Sequence, residues 1–170
     1  MAHVTAEADK FTLALRQAGF RGPIARSATV TPDSSIKTLG PAADGIYVPS
    51  QFALNSSEDD PGVAQFLAEV NRRDRNAPKT DAMKQPYAAV YLFAEAAKAA
   101  RTITPAGIMA ALDSGTRFSI PMLAPVQFKT VSKLAPFPRY FNANVTFGVV
   151  KKGQIVTATK NKFVNVFLDK

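Results

Sequence analysis

The chain has 170 residues but no cysteine and no tryptophan, and its single histidine is His3. The lack of cysteine excludes disulfide bonds, thiol nucleophiles and zinc sites built on cysteine. Ser-His-Asp and Cys-His triads cannot be assembled within this segment, because no histidine lies beyond the N-terminal end. We therefore predict that the chain is not an enzyme and that His3 is exposed to solvent.

Glycine-rich phosphate loops and long apolar runs are also missing. Neither G-x-G-x-x-G nor G-K-[ST] occurs in the sequence, and we expect no cofactor. No window approaches the ~18 apolar residues that a membrane-spanning helix needs. The N-terminal residues lack a basic stretch followed by an apolar one, so they do not predict a signal peptide. An exported protein would have lost its signal, or this chain starts within a longer one.

Positive charge is in excess but scattered. The 21 lysines and arginines exceed the 13 acidic residues, which gives a net charge of +8. The tightest basic groups, 72–75 and 151–152, are not interleaved with aromatic residues as in a groove for single-stranded nucleic acid. We interpret the basic surface as solvated and predict no nucleic-acid partner. The acidic run 58–60 favours a helix start at Pro61 over a metal site, because carboxylates stabilise helix N-termini.

Helical and strand patterns alternate along the chain. Helical patterns are found at 7–18, 35–39, from 61 onward, 87–101 and 105–113. Apolar or alternating runs predict strands at 23–28, 46–48, 126–128, 144–150, 154–156 and 162–168. The glycine-containing turn between the strands at 144–150 and 154–156 predicts a β-hairpin. This alternation indicates an α/β fold with a parallel sheet.

Two of these helices carry specific expectations. In the first, Thr5 is the expected N-cap, and Phe11, Leu15 and Ala18 form the expected buried stripe. Before the fourth helix, the segment 81–86 is predicted to be a loop.

Six segments occur in an order typical of one protein family. They read LRQAGFRGP, GPAADGIYV, YAAVYLFAEAAKAA, APVQF, FPRYFN and VTFGVVKKGQIV, at 15–23, 40–48, 87–100, 124–128, 137–142 and 145–156. Together they resemble the C-terminal half of type I periplasmic solute-binding proteins, the leucine/isoleucine/valine-binding type. The resemblance rests on this collinear order over nearly the whole chain.

The resemblance implies a partial two-lobed α/β fold in which three crossings join the lobes and a solute lies between them. Residues 1–50 would be part of the second lobe and 51–133 part of the first lobe. Residues 134–170 would return to the second lobe with the hairpin. Most of the first lobe's sheet would then be missing. Helices that need this sheet would expose apolar side chains, or hide them by self-association or against the N-terminal half of a parent chain. The side chains in question are Phe66, Leu92, Phe93 and Leu112.

The implied function is that of an extracytoplasmic solute-binding component of an ABC importer, in the periplasm or at the cell surface. It would bind an amino acid or a small carboxylate by lobe closure and deliver it to a membrane permease. A sensory or regulatory ligand-binding module of the same fold is the alternative. A stand-alone α/β enzyme is a third reading, against which the missing catalytic residues argue.

Open α/β sheets bind ligands in loops at the carboxyl ends of their strands. The resemblance places three such loops near the solute, with the candidate ligand-binding residues Thr5, Glu7, Arg26, Ser27, Ala28, Thr29, Met83, Gln85 and Tyr87. In amino-acid-binding relatives an acidic residue in the second loop binds the ligand ammonium, whereas this loop contains Arg26. We therefore expect an anionic or neutral solute, unless Glu7 supplies the acid. Arg26 as a surface charge and Tyr87 as a core residue are the alternatives.

Overall fold

The computed structural model describes residues 2–57, 59–128, 142–160 and 162–166, without the side chains of residues 2 and 3. This part of the chain contains the α-helices α1 (Ala2–Gln17), α2 (Asp33–Leu39), α3 (Pro61–Arg73), α4 (Asp81–Ala99) and α5 (Pro105–Asp113). Its strands are β1 (Ile24–Ala25), β2 (Ile46–Ser50), β3 (Asn144–Lys151), β4 (Gln154–Thr157) and β5 (Val164–Asn165). Short 3-10 helices lie at Ala28–Val30 and Gly40–Ala43. The predicted α/β class is confirmed.

The strands form one sheet in the order β1-β2-β3-β4, with β5 paired to the start of β3. Strands β1 and β2 are parallel, with Ile24 opposite Ile46, and the chain between them passes through α2. Within the described residues, the prediction of a parallel sheet is therefore right for the pair β1 and β2, whereas the other pairs are antiparallel. The pair β3 and β4 is closed by a turn of two residues, which only antiparallel strands allow.

The predicted C-terminal hairpin is confirmed at its turn. Lys151 pairs with Gln154, so the turn consists of Lys152 and Gly153. Both residues have positive φ, 50° and 78°. A type I′ turn requires positive φ at both central positions, and it matches the twist of the strands it joins.

The buried apolar side chains form two clusters. The sheet core packs around β2 and β3 under α2 and consists of Ile36, Leu39, Ala43, Ile46, Val48 and Val150. The helical core lies among α3, α4 and the segment after α5, and consists of Phe52, Ala53, Val63, Phe66, Ala88, Ala96, Phe118, Ile120, Met122 and Val126. The chain passes from the sheet core to the helical core directly after β2, between Ser50 and Phe52.

Helix α1 differs from its prediction. It begins before Thr5, so this residue lies inside the helix and is not the N-cap. The predicted buried stripe is wrong as well, because Phe11 is 66% exposed. Asp9 and Thr12 face inward instead, at 7% and 1% exposure, and both bind the guanidinium of Arg26. A buried charge left without partners costs several kcal/mol, about as much as or more than an aromatic side chain gains on burial.

Helix α4 begins at Asp81, so the loop predicted at 81–86 is wrong. Pro86 lies inside the helix, where its missing N–H removes one backbone hydrogen bond. The residues on either side pack against the helical core, Met83 at its edge and Ala88 within it. We attribute the continuity of the helix to this packing, although a proline is usually a sign that a helix ends or begins there.

The helix start predicted at Pro61 is confirmed, and Asp60 of the acidic run before it caps α3. The Asp60 carboxylate accepts a hydrogen bond from Val63 N at 3.0 Å, and Pro61 follows as the first helical residue. Glu58 lies outside the described residues. Within the described ranges, no group of three or more His, Asp or Glu side chains could hold a metal ion.

The remaining predicted strands are shorter than expected. The strand predicted around Val126 is a single bridge to Phe118. The last strand, predicted at 162–168, is β5, and 167–168 lie outside the described residues. Most of the FPRYFN segment, 137–141, also lies outside them.

Four apolar side chains were expected to be exposed for lack of a covering sheet, and one of them, Phe93, is exposed. Phe66 is 1% exposed, because its ring packs edge to face against Tyr87 with 5.3 Å between the centroids. Phe93 is 59% exposed, as predicted, whereas Leu92 and Leu112 are half-buried. Self-association stays a prediction. Among the helices of the described residues, none combines the length and apolar character needed to cross a membrane.

Candidate functional site

A cleft of about 260 Å³ opens where β1 and β2 end and α4 begins. Its polar lining consists of Ser27, Thr29, Ser50, Gln51, Asp81 and Gln85, and its apolar lining of Pro49, Phe52 and Val145. The two parallel strands point their carboxyl ends toward this cleft, which is the position where open α/β sheets bind ligands.

The loop after β1 is held by its own hydroxyl groups. Ser27 Oγ accepts a hydrogen bond from Thr29 N at 3.3 Å and caps the 3-10 helix that follows. Thr31 Oγ1 donates to the Ser27 carbonyl at 2.9 Å. These local bonds fix the loop, so the exposed Ser27 and half-buried Thr29 face the cleft from an ordered backbone.

Ser50 joins the end of β2 to the start of α4. Its hydroxyl donates to Asp81 Oδ2 at 2.5 Å and accepts from Phe52 N at 3.0 Å. Ser50 is 3% exposed, so these bonds form away from bulk water, where a hydrogen bond to a charged group contributes more than a neutral one. The contact holds the first turn of α4 against the chain as it leaves the sheet core.

A buried lysine stabilises the same junction. Lys84 is 1% exposed, and its Nζ donates to the Ala53 carbonyl at 2.7 Å and lies 3.4 Å from Asp81 Oδ1. Burial lowers the pKa of Lys84, because the charged form loses its hydration, while Asp81 opposes the shift. The ammonium is thus held between the Asp81 carboxylate at the start of α4 and the Ala53 carbonyl in the segment after β2.

An apolar chamber of about 240 Å³ adjoins the cleft. The two share Gln51, Phe52 and Gln85 in their linings. The rest of the chamber is lined mainly by apolar side chains, Ala88, Ala89, Leu92, Ile120, Leu123 and Val126. A ligand with a polar end and a hydrocarbon end could therefore lie across the boundary of the two spaces.

A separate polar cavity of about 510 Å³ also includes Asp81 in its lining. Lys37, Lys79 and Lys84 line this cavity but not the cleft. Asp81 therefore lies between two spaces, with Lys84 on the side of the larger one.

Three of the predicted ligand-binding residues meet in the cleft, Ser27, Thr29 and Gln85. The others lie elsewhere. Thr5 and Glu7 are in α1, where Glu7 is exposed and pairs with Lys10 at 3.1 Å. Ala28 faces the larger polar cavity.

The other two candidates on α4 belong to the helical core. Met83 and Tyr87 pack against it, and the Tyr87 ring contacts Phe66 and Tyr91. Burial raises the pKa of Tyr87, since the phenolate would lose its hydration. The geometry agrees with the core-residue interpretation of Tyr87.

Arg26 does not reach the cleft, and the expectation of an anionic solute loses its basis. Its Nη2 donates to Asp9 Oδ1 at 2.8 Å, to the Val30 carbonyl at 2.6 Å and to Ser35 Oγ at 3.2 Å. The residue is 7% exposed. The guanidinium joins α1, the loop after β1 and α2, and Asp9 already neutralises it. The alternative of a surface charge is wrong for the same reason.

Sequence reasoning missed Ser50 and Asp81. Ser50 ends β2, so a longer strand prediction would have placed it at the carboxyl edge of the sheet. Asp81 is the first residue of α4, where an acidic residue is common, but Pro86 suggested a loop instead. The side chain of His3 lies outside the described part of the chain, so its predicted exposure stays a prediction.

Larger proteins of known structure contain a region with the same fold as this chain. A leucine-binding protein from Thermotoga maritima is 16% identical, with a TM-score of 0.70 over 96% of this chain and 43% of that one. A branched-chain amino acid ABC transporter from Thermus thermophilus with bound valine is 17% identical, with a TM-score of 0.62 over 89% and 42%. A fatty acid ABC transporter substrate-binding protein from Thermomonospora curvata is 16% identical, with a TM-score of 0.72 over 94% and 41%.

The present chain thus spans about two fifths of the length of these solved relatives. No curated protein matches it in sequence. A family model described as periplasmic binding protein matches residues 1–141, which is most of the chain. The chain therefore belongs to the periplasmic binding protein family.

Proposed function

We propose that the chain is part of an extracytoplasmic solute-binding component of an ABC importer and performs no chemistry. The family supports this proposal, and so do the solved proteins of similar fold, whose descriptions name ABC transport of branched-chain amino acids or fatty acids. The partners of the whole protein would be a small organic solute and a membrane permease.

The observation that carries the proposal is the position of the cleft between the sheet core and the helical core. Ser27 and Thr29 belong to the loop after β1, and Gln85 belongs to α4 beside the helical core. In this proposal, 1–50 and 134–170 form one lobe with the sheet core, and 51–133 form part of the other lobe. A solute that touches both sides would favour closure, because it binds the closed arrangement better than the open one.

The solute class that fits best is a small amphipathic molecule such as an amino acid. The cleft offers hydroxyl, amide and carboxylate groups, and the chamber beside it is lined mainly by carbon. Arg26, the cation that was expected to favour an anionic solute, is bound internally by Asp9. An apolar pocket with a few polar groups at one end is the usual form of a small-molecule site.

The test is a titration of the ¹⁵N-labelled chain with amino acids, amides and short carboxylates at millimolar concentration, followed by two-dimensional NMR. We expect solute-dependent shifts of the Thr29, Gln51 and Gln85 amide signals. The variant Gln85→Ala should weaken these shifts, whereas Gln17→Ala, a matched change of an exposed residue at the end of α1, should not. If no solute shifts any cleft signal, the proposed function is wrong.

Calorimetry supplies a second check. Since much of one lobe would lie outside this chain, the isolated chain should bind no solute with micromolar or tighter affinity. Tight binding by a monomer would contradict the proposed division into lobes.

A further inference from the structure

Asp81 is the one charged side chain among the described residues that line the cleft. The other polar groups there are the hydroxyls of Ser27, Thr29 and Ser50 and the amides of Gln51 and Gln85. All of these accept hydrogen bonds, and none carries a positive charge. A ligand group entering this cleft therefore meets a carboxylate and neutral side chains.

Lys84, which pairs with Asp81, and Arg26, which precedes the cleft residue Ser27, are both directed elsewhere. Lys84 pairs with Asp81 at 3.4 Å, but its Nζ points to the Ala53 carbonyl, and the residue lines the larger polar cavity and not the cleft. Arg26 is enclosed by Asp9, Thr12 and Ser35. Because Coulomb energy falls with distance, the lining carboxylate outweighs the lysine behind it for a ligand in the cleft.

Asp81 retains the capacity to bind such a ligand. Its Oδ2 accepts the Ser50 hydroxyl at 2.5 Å, and the partner of Oδ1 among the described residues is Lys84, in a longer ion pair of 3.4 Å. An ionised carboxylate has about four acceptor sites on its two oxygens. The start of α4 would by itself favour an anion, but Asp81 occupies the first helical position and places a full negative charge against the half positive charge of the helix end.

We propose that Asp81 binds a protonated amine of the solute, with the hydrocarbon part of the solute in the apolar chamber. This inference rests on the proposed solute-binding function. The acid that the loop after β1 lacks is supplied from the first turn of α4, which also lines the cleft. Gln51 and Gln85 lie at the boundary of the two spaces, so they contact the solute where its polar and apolar parts join. The solute is thus cationic or zwitterionic, and a simple carboxylate is disfavoured.

The experiment compares two probes of similar shape and opposite charge, isobutylammonium and isovalerate. The ¹⁵N-labelled chain is titrated with each at the same ionic strength, since salt screens the difference. Isobutylammonium should shift the Thr29 and Gln85 amide signals with at least about tenfold tighter apparent affinity than isovalerate. The amide of Ala88, in the chamber, should shift with it.

Two variants test the assignment. Asp81→Asn should abolish the preference for the ammonium probe, whereas Asp59→Asn, the same change at an exposed residue outside the cleft, should keep it. Because Asp81→Asn leaves Lys84 buried without its partner, the double variant Asp81→Asn/Lys84→Met is measured as well. Removing both charges of a buried pair usually preserves the fold, and this variant should also show no preference.

The inference is overturned if isovalerate binds at the cleft as well as the ammonium probe, or if a folded Asp81 variant keeps the preference. In either case the proposed function stands as long as other solutes shift the cleft signals. If neither probe and no solute of the wider panel shifts those signals, the inference and the proposed function both fail.

Discussion

The sheet core and helix α4 differ in how completely their apolar side chains are covered. In the sheet core, Ile46 and Val48 of β2 are both 0% exposed, because helices and neighbouring strands close over them. In the helical core, α4 buries Ala88 and Ala96 on one side and leaves Phe93 59% exposed on another. A helix with apolar residues on more than one face needs a second layer to pack on. In the proposed assembly, that layer is the rest of the first lobe.

The largest expected effect is the difference in unfolding free energy lost by replacing the buried Phe66 and the exposed Phe93. Phe66→Ala should lower the free energy of unfolding by about 3–5 kcal/mol, because it empties a site at 1% exposure. Phe93→Ala, the same change at 59% exposure, should cost less than about 1 kcal/mol in the isolated chain. Urea denaturation measures both. Equal losses would show that Phe93 is already packed, for example in a self-associated form.

The next prediction concerns the buried ion pair beside the sheet core. Arg26→Met should cost about 3–5 kcal/mol, since it leaves the Asp9 carboxylate buried without its guanidinium. The double variant Asp9→Asn/Arg26→Met should recover most of this loss. Arg21→Met, an exposed control, should change stability by less than about 0.5 kcal/mol. If Arg26→Met and Arg21→Met behave alike, the network does not stabilise the fold.

A pH-dependent effect is expected at the junction of the two cores. Burial holds the pKa of Lys84 below its ordinary value of 10.5. Between the pKa in the folded state and 10.5, the unfolded chain binds more protons at this site, so the free energy of unfolding should rise with pH. Lys84→Met should remove this rise, which is at most about 1.4 kcal/mol per pH unit.

The measurement is a series of urea denaturations that stays below pH 10. Burial raises the pKa of Tyr87, so above its ordinary value of 10.0 the folded state binds more protons and stability falls with pH, opposite to the effect of Lys84. An identical pH dependence in the wild type and in Lys84→Met would contradict the account of the buried lysine.

The smallest expected loss of unfolding free energy concerns the N-cap of α3. Asp60→Ala should cost about 1 kcal/mol, because Val63 N loses its hydrogen-bond acceptor. The neighbouring change Asp59→Ala should cost only a few tenths of a kcal/mol, since Asp60 supplies the cap. Comparable losses in the two variants would assign the effect to the charge near the helix end instead of to the cap.

Elements whose signals are local could be predicted from the sequence. The turn at Lys152-Gly153 and the helix start at Pro61 depend on residues within a few positions, and both predictions are confirmed. Thr5 and Phe11 were misplaced because the orientation of α1 is set by the distant Arg26. The start of α4 was missed because its packing on the helical core overrides the local effect of Pro86.

The residues of the candidate site also divide into those with a local signal and those brought together by distant contacts. Ser27 and Thr29 could be found because they follow a strand in the sequence. Ser50 and Asp81 are 31 positions apart and meet only in the folded chain. A pattern along the sequence cannot show such a contact, so Arg26 was expected to face the solute and Asp81 was not.

Hydrogen exchange with and without solute tests the central claim most directly, namely that one cleft joins the sheet core to the helical core. A solute identified in the NMR panel should slow amide exchange at 27–31, 50–54 and 81–85 together. Exchange in the first turns of α1 should not change, because in the described part of the chain the linings of the cleft and the chamber contain no residue of this helix. Protection confined to segments of one core, or spread evenly over the chain, would contradict a solute site between the two.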